Sequence, residues 1–311
     1  MNHKRAVIPL LIFAIAAIVV TASAQPRPGN AATQVRLESA EDRLQAKRHG
    51  WIKDLRAGKD ARPIYAAMLE SPEAGGFFYA AELELLCASV AMRDAPTTKS
   101  THQQDPNAPE YGEYLTHMQR LRGTCSSMHP DEASIERAGS RYFSANQRER
   151  DPILALKAAL RPAGSEAERR RVLRQLVDLG PPANLWLLGG AMLQSAGGVS
   201  YMTFDGKRFE YVRGDTPMLD GTPTQLSAAL DLAACDLGLP CGNDSIAAAR
   251  SCMEHFRVCR EPDFPAMVRR QVQLQGYADF DKGWTGVERI RRRLVAAIQT
   301  RDHEAFTSTA K

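Results

Sequence analysis

The chain has 311 residues, with 40 Lys and Arg against 36 Asp and Glu, a formal charge of +4, 44% hydrophobic residues and 7% aromatic ones. That length buries a sizeable core in one large or two modest domains, and the near balance of charge gives no electrostatic ground for nucleic acid or an anionic membrane as partner. Ala, Leu, Arg, Glu and Gln fill the long segments while runs of Val, Ile, Thr and Tyr are scarce, which is a helical composition.

Residues 1–24 read as a secretory signal peptide. Lys4-Arg5 form a basic start, Ala6 to Val20 is unbroken and apolar, and Thr21-Ala22-Ser23-Ala24 supplies an A-x-A-like cleavage site. The apolar run is shorter than the roughly 20 residues that span a bilayer. No later stretch is apolar enough for a transmembrane helix, and no Cys follows the site to carry a lipid. The mature chain is expected to begin near Gln25, in the periplasm or outside the cell.

An N-terminal helical segment over residues 25–94 follows, with helices at about Gln34 to Ala57 and Gly76 to Met92. Residues 95–109 hold three Pro among Thr, Ser, Gln and Asp and read as a loop or linker. A subdomain boundary is expected there or near 145–150. The remainder, 110–311, reads as a helical domain ending in a Cys-rich helix pair. A helix spans about Pro109 to Met128. Asp151-Pro152 opens one that Pro162 closes, and Ser165 with Glu168 forms a capping box for the next, up to Leu179. After Gly180-Pro181-Pro182, the stripe Leu185, Leu188 and Met192 predicts a helix that Gly197-Gly198 terminates.

Val199 to Val212 is the strand-like exception. Asp205-Gly206 between two aromatic, β-favouring runs predicts one small β-hairpin, marginal unless it lies on helices. Thr222, Pro223 and Gln225 then cap a helix striped by Leu226, Leu230, Ala234 and Leu237 and stopped by Gly238 and Pro240. Its partner starts at Asn243 or Asp244, carries Ile246, Ala249, Met253 and Phe256, and finishes before Pro262. The last helix, about Phe280 to Arg301, aligns Trp284, Val287, Ile290, Leu294 and Ile298 on one face.

Ala234-Cys235-Asp236-Leu237 followed by Cys241 resembles the helix-pair joints of Cys-rich secreted bacterial proteins with Sel-one-like, tetratricopeptide-related repeats. Asn184-Leu185-Trp186-Leu187-Leu188-Gly189 is similar to the Leu-Gly core of such a repeat, and the paired C-terminal cysteines resemble those of exported proteobacterial proteins. The resemblance implies stacked helix pairs that present a binding surface. No second copy recurs at a period of about 34 to 36 residues. The expected fold is therefore mainly α: stacked antiparallel helix pairs, as a tetratricopeptide-like solenoid or an irregular bundle, with one hairpin near 199–212.

Six cysteines in an exported chain point to disulfides. Cys87 and Cys125 lie far from the rest and are expected to pair. Cys235, Cys241, Cys252 and Cys259 are expected to cross-link among themselves, either locally or with Cys235 meeting Cys252. Inside an unbroken helix Cys252 and Cys259 would sit about 10.5 Å apart, beyond the roughly 7 Å limit, so a local bridge requires the helix to end near Phe256. The competing metal reading of Cys241, Cys252, His255 and Cys259 lacks C-x₂₋₄-C spacing, and no metal or cofactor is expected.

No catalytic motif is present, neither G-x-S-x-G, H-E-x-x-H, a P-loop nor G-x-G-x-x-G after a strand, so catalytic residues stay unassigned. His117 shares a helix face with Leu121 and Cys125 and reads as packed against a disulfide. Glu82 with Glu84, and Asp279 with Asp281, point roughly 200° apart on a helix and do not converge as an acid/base pair. Arg169-Arg170-Arg171-Arg174 and Arg289-Arg291-Arg292-Arg293 fan around their helices as solvated surface, and Trp186 and Trp284 read as core. Two classes remain: an exported scaffold whose groove takes an envelope protein or peptide, and a periplasmic enzyme acting on envelope polymers through an unidentified carboxylate. A uniform ladder of helix pairs favours the scaffold; a deep pocket holding a carboxylate of raised pKa favours the enzyme.

Overall fold

The computed structural model describes residues 39–94, 104–129, 131–160, 165–180, 185–196, 199–211 and 217–307. The expected signal peptide and most of the expected 95–109 linker lie outside the described residues. Within them the fold is mainly helical, as its composition predicts.

The first helix, α1 (Ala40–Arg56), starts where Ser39 and Asp42 form a reciprocal capping box. Asp60 caps α2 (Ala61–Leu69), and α3 (Gly76–Asp94) follows after a 3-10 turn at Pro72–Ala74. The α2–α3 corner needs glycine: a Cβ on Gly76 would lie 1.8 Å from the Met68 carbonyl oxygen. Next come α4 (Tyr111–Cys125), α5 (Glu132–Phe143), α6 (Ala145–Arg150), α7 (Pro152–Ala159), α8 (Glu166–Asp178) and α9 (Leu185–Met192). The capping boxes read at Ser165 and Thr222 place their hydroxyls on the Glu168 and Gln225 N–H groups.

The helix expected to reach Gly197-Gly198 stops at Met192. Leu193–Ala196 becomes a strand instead, β1, paired antiparallel with β2 (Val199–Phe204), which pairs in turn with β3 (Lys207–Glu210). Gly189 and Gly190 weaken the helix end, and the ladder from Leu193↔Met202 to Ala196↔Val199 supplies the backbone partners a longer helix would have given. The expected hairpin is β2–β3. Asp205 and Gly206, at φ 51° and 71°, form its turn. Met202, Phe204 and Phe209 are buried, and Phe204 packs 5.3 Å, ring to ring, from Phe306 of α14 (Glu304–Thr307).

After the sheet, α10 (Pro223–Asp236), α11 (Ile246–Glu254), α12 (Phe264–Gln273) and α13 (Phe280–Gln299) complete the chain before α14. Helix α11 begins behind Ser245, whose hydroxyl accepts from the Ala248 N–H, rather than behind Asn243 or Asp244. Helices α2, α5, α6, α12 and α14 are not among those predicted from the sequence. Helix pairs pack on one another, α3 with α5 and α10 with α13, while α4 lies against α11 from far along the chain. Trp284, Val287, Ile290, Leu294 and Ile298 all face inward. Helices on both sides of residues 95–109 share one apolar core.

Three disulfides brace this arrangement. Cys87–Cys125 ties α3 to α4 as expected, with Cα atoms 5.3 Å apart. The two connectivities left open in the C-terminal cluster resolve to the local one, Cys235–Cys241 and Cys252–Cys259. Helix α11 ends at Glu254 and a 3-10 turn at Phe256–Val258 folds the chain back, which brings the last pair of Cα atoms to 4.7 Å.

Candidate functional site

A cleft of about 600 Å³ opens between α1, α3, α9, the sheet, α10 and α11. Its walls follow from the helix stripes. Ile52 and Leu55 come from α1, Leu83 and Leu86 from α3, Leu230 from α10 and Ile246 from α11, while Met202 and Leu193 come from the strands. Leu193 and Tyr211 are 51% and 55% exposed there, unusual for large apolar side chains. Gly189 and Gly190 expose helix backbone in the same lining. A Cβ on Gly190 would meet nothing within 4 Å, so packing does not demand the glycine. A larger side chain there would enter open space.

Helix α10 is apolar almost all round, with Leu226, Ala228, Ala229, Leu230, Leu232, Ala233 and Ala234 buried. Asp231 interrupts it and shares a face with Ser227 and Ala234, one turn to either side. Water reaches Asp231 from the cleft, yet protein surrounds its remaining sides. Desolvation by the protein packed around this exposed residue pushes its carboxyl up to about 6, against the opposing pull of Arg56 and Arg250 and with Glu254 adding to the rise. No hydrogen-bond donor or ion-pair partner reaches the Asp231 carboxylate among the described residues.

Arg56 is half-buried in the cleft wall. Desolvation lowers its guanidinium to about 10. Its contacts are Nη1 donating to Cys241 Sγ at 3.6 Å and the Phe264 ring, 5.9 Å from the guanidinium carbon. No carboxylate lies within ion-pair distance of it among the described residues. Arg250, on α11, donates from Nε to Glu254 Oε1 at 2.8 Å. The charged part of the cleft thus holds a cation without a contacting counter-ion and a carboxylate without a donor. Glu82, elsewhere in the lining, is occupied: it accepts from the Tyr142 hydroxyl and, at 3.4 Å, from Lys157.

The residues singled out from sequence fall elsewhere. Glu84 is buried, accepting from the Tyr65 hydroxyl and from Arg141 Nε at 3.2 Å, away from the Glu82 partners. Asp279 holds the Leu219 and Asp220 N–H groups at 2.6 and 3.1 Å. His117 is buried with Nδ1 3.3 Å from Arg120, and burial, then the Arg120 charge, lowers its pKa. Within the arginine runs, Arg169 and Arg170 pair with Glu166, Arg171 with Glu168, Arg291 with Asp236 and Glu288, and Arg293 with Asp205 and Asp302. Trp284 is buried beside Phe280; nothing is assigned to the Trp186 side chain. The cysteines of the metal reading are bridged, and His255 faces Gln271 at 2.8 Å. Among the described residues no three His, Cys, Asp or Glu converge on a metal position. No helix among them is long and apolar enough to cross a membrane.

Asp231, Arg56, Arg250 and Gly190 were missed. One signal existed: a lone carboxylate inside an otherwise apolar helix asks for a reason. Comparison with family models, with curated proteins and with solved structures finds no match to this chain.

Proposed function

We propose that the protein is exported to the periplasm or beyond and binds an apolar peptide segment of an envelope protein in the cleft between α1, α3, α9, α10 and α11. The observation that carries this reading is the open, apolar lining with Leu193 and Tyr211 exposed in it and bare helix backbone at Gly190. Clefts of this volume, apolar with a few placed charges, are the usual form of ligand sites. Three disulfides support an oxidising destination.

The test is calorimetric titration with Leu- and Val-rich peptides against wild type and Gly190→Leu, whose Cβ meets nothing within 4 Å and whose side chain occupies space at the cleft lining. Saturable binding lost in Gly190→Leu at unchanged thermal stability supports the reading; equal binding by both proteins defeats it. Recovery of native protein that still begins at Met1 would defeat the export reading.

A second reading, an enzyme acting on envelope polymers, draws on Asp231. A carboxyl held near 6 in a cleft is poised for proton transfer near neutral pH. Turnover of a peptidoglycan or peptide substrate that disappears in Asp231→Asn would favour it.

A further inference from the structure

The charged groups of the cleft select among peptide segments, and this inference rests on the peptide-binding reading. We infer that the cleft receives the C-terminal end of an apolar peptide, with its terminal carboxylate seated on the Arg56 guanidinium beside Arg250. Arg56 brings a planar fork of N–H donors, suited to a carboxylate. Only a sulfur and an aromatic ring contact it among the described residues. Asp231 is the counter-charge that acts on it, from beyond contact distance, so the N–H fork of this half-buried cation has no carboxylate oxygen to hold among the described residues. Arg250 adds positive potential from α11 while its own Nε is held by Glu254.

The remaining lining argues for a peptide over a bare hydrocarbon chain. Ser227 is exposed on the same α10 face as Asp231 and lines the cleft, and the half-exposed Tyr211, its hydroxyl 2.9 Å from Thr224 Oγ1, stands at its edge. The Ser227 hydroxyl suits an amide N–H or C=O position; an alkyl chain would desolvate it without return. Leu55, Leu83, Leu86 and Ile246 offer the apolar contact that side chains next to the terminus would take.

Asp231 gives the site a pH response. The charged groups that act on it are Arg56 from α1 and Arg250 and Glu254 from α11. An ionised Asp231 repels an incoming carboxylate, whereas its protonated form accepts that neighbour and can donate a hydrogen bond to it. Binding of a carboxylate therefore takes up a proton and strengthens as pH falls through about 6. A cationic ligand would show the opposite slope.

The probes are N-acetyl-Leu-Leu-Leu as the free acid, the same tripeptide as its C-terminal amide, and decanoic acid, titrated into the full chain by calorimetry at about pH 7.5 and about pH 5. The acid is expected to bind about 10-fold or more tighter than the amide. Its affinity is expected to rise at the lower pH while that of the amide stays level. Arg56→Gln should erase the preference and keep the amide affinity, and Arg56→Lys should restore part of it. Equal binding of acid and amide to wild type overturns the carboxylate inference and leaves the cleft reading standing. Failure of both to bind overturns both. Decanoic acid binding as tightly as the peptide acid overturns the assignment to a peptide. Should Arg56→Gln not fold, the acid and amide comparison on wild type still decides.

Discussion

Asp151 and Asp231 both have their carboxyls pushed up to about 6 by the protein around them, yet Asp151 is fully buried and Asp231 is exposed to the cleft. Asp151 is fully buried at the start of α7, accepting the N–H groups of Phe78, Ile153 and Leu154 at 2.9, 2.8 and 3.0 Å. It closes the N-terminus of α7 and pins α3 to it, so every oxygen is engaged in structure. Asp231 sits in a helix interior with no donor in reach, open to a cleft. A raised pKa by itself is silent about function; the state of hydrogen bonding around the group separates a brace from a site.

The largest expected effect comes from loosening α3, the helix that Asp151 holds at its N-terminal end. Replacing Cys87 and Cys125 together by Ala opens a loop of 38 residues, and the stability lost is expected to be about 4 kcal/mol, read from urea unfolding. The same exchange at Cys235 and Cys241, a separation of 6 beside the cleft, should lose about 2 kcal/mol. Asp151→Ala strands three buried N–H groups and is expected to lose about 3 kcal/mol, whereas Asp231→Ala should change stability by less than about 1 kcal/mol. Equal losses at the two aspartates would erase the distinction drawn between them.

Gentler changes sharpen it. Gly190→Ala places a methyl in open space inside a helix and should stabilise by up to about 1 kcal/mol, measured as a rise in Tm. A loss would mean that the space at Gly190 is needed for folding. The smallest effect concerns pH. With folded carboxyls near 6 and unfolded ones near 3.8, the folded state holds more protons between those values, so stability falls as pH rises through that window. Asp231→Asn should flatten part of that slope and raise stability near pH 7 by less than about 1 kcal/mol, because water in the cleft screens the charge.

Much of the fold was legible because it is written locally. The spacing of Trp284, Val287, Ile290, Leu294 and Ile298 marks the buried face of α13, Asp205-Gly206 marks the hairpin turn, and the Ser165 and Thr222 caps mark helix starts. Helix α12 escaped because Pro262 reads as a stop, although Asp263 capping a helix with Pro265 in its first turn is equally a start. Strand β1 escaped because Leu193 to Ala196 carries no strand signature of its own and takes its conformation from β2. The cleft was illegible for a deeper reason. It joins residues from Ile52 to Arg250, and no local pattern records which helices will face one another.

Arg48 carries a consequence for how the chain comes together. Its guanidinium is 2% exposed, held by Glu41 and by the Leu179 carbonyl oxygen at 2.9 Å, 131 residues along the chain. Glu41 neutralises that charge within α1, while the Leu179 carbonyl, at the C-terminal end of α8, supplies the acceptor that lets it be buried. The start of the folded unit is thus tied by one buried cation to the end of α8, and the cleft wall that α1 contributes depends on a contact 131 residues away.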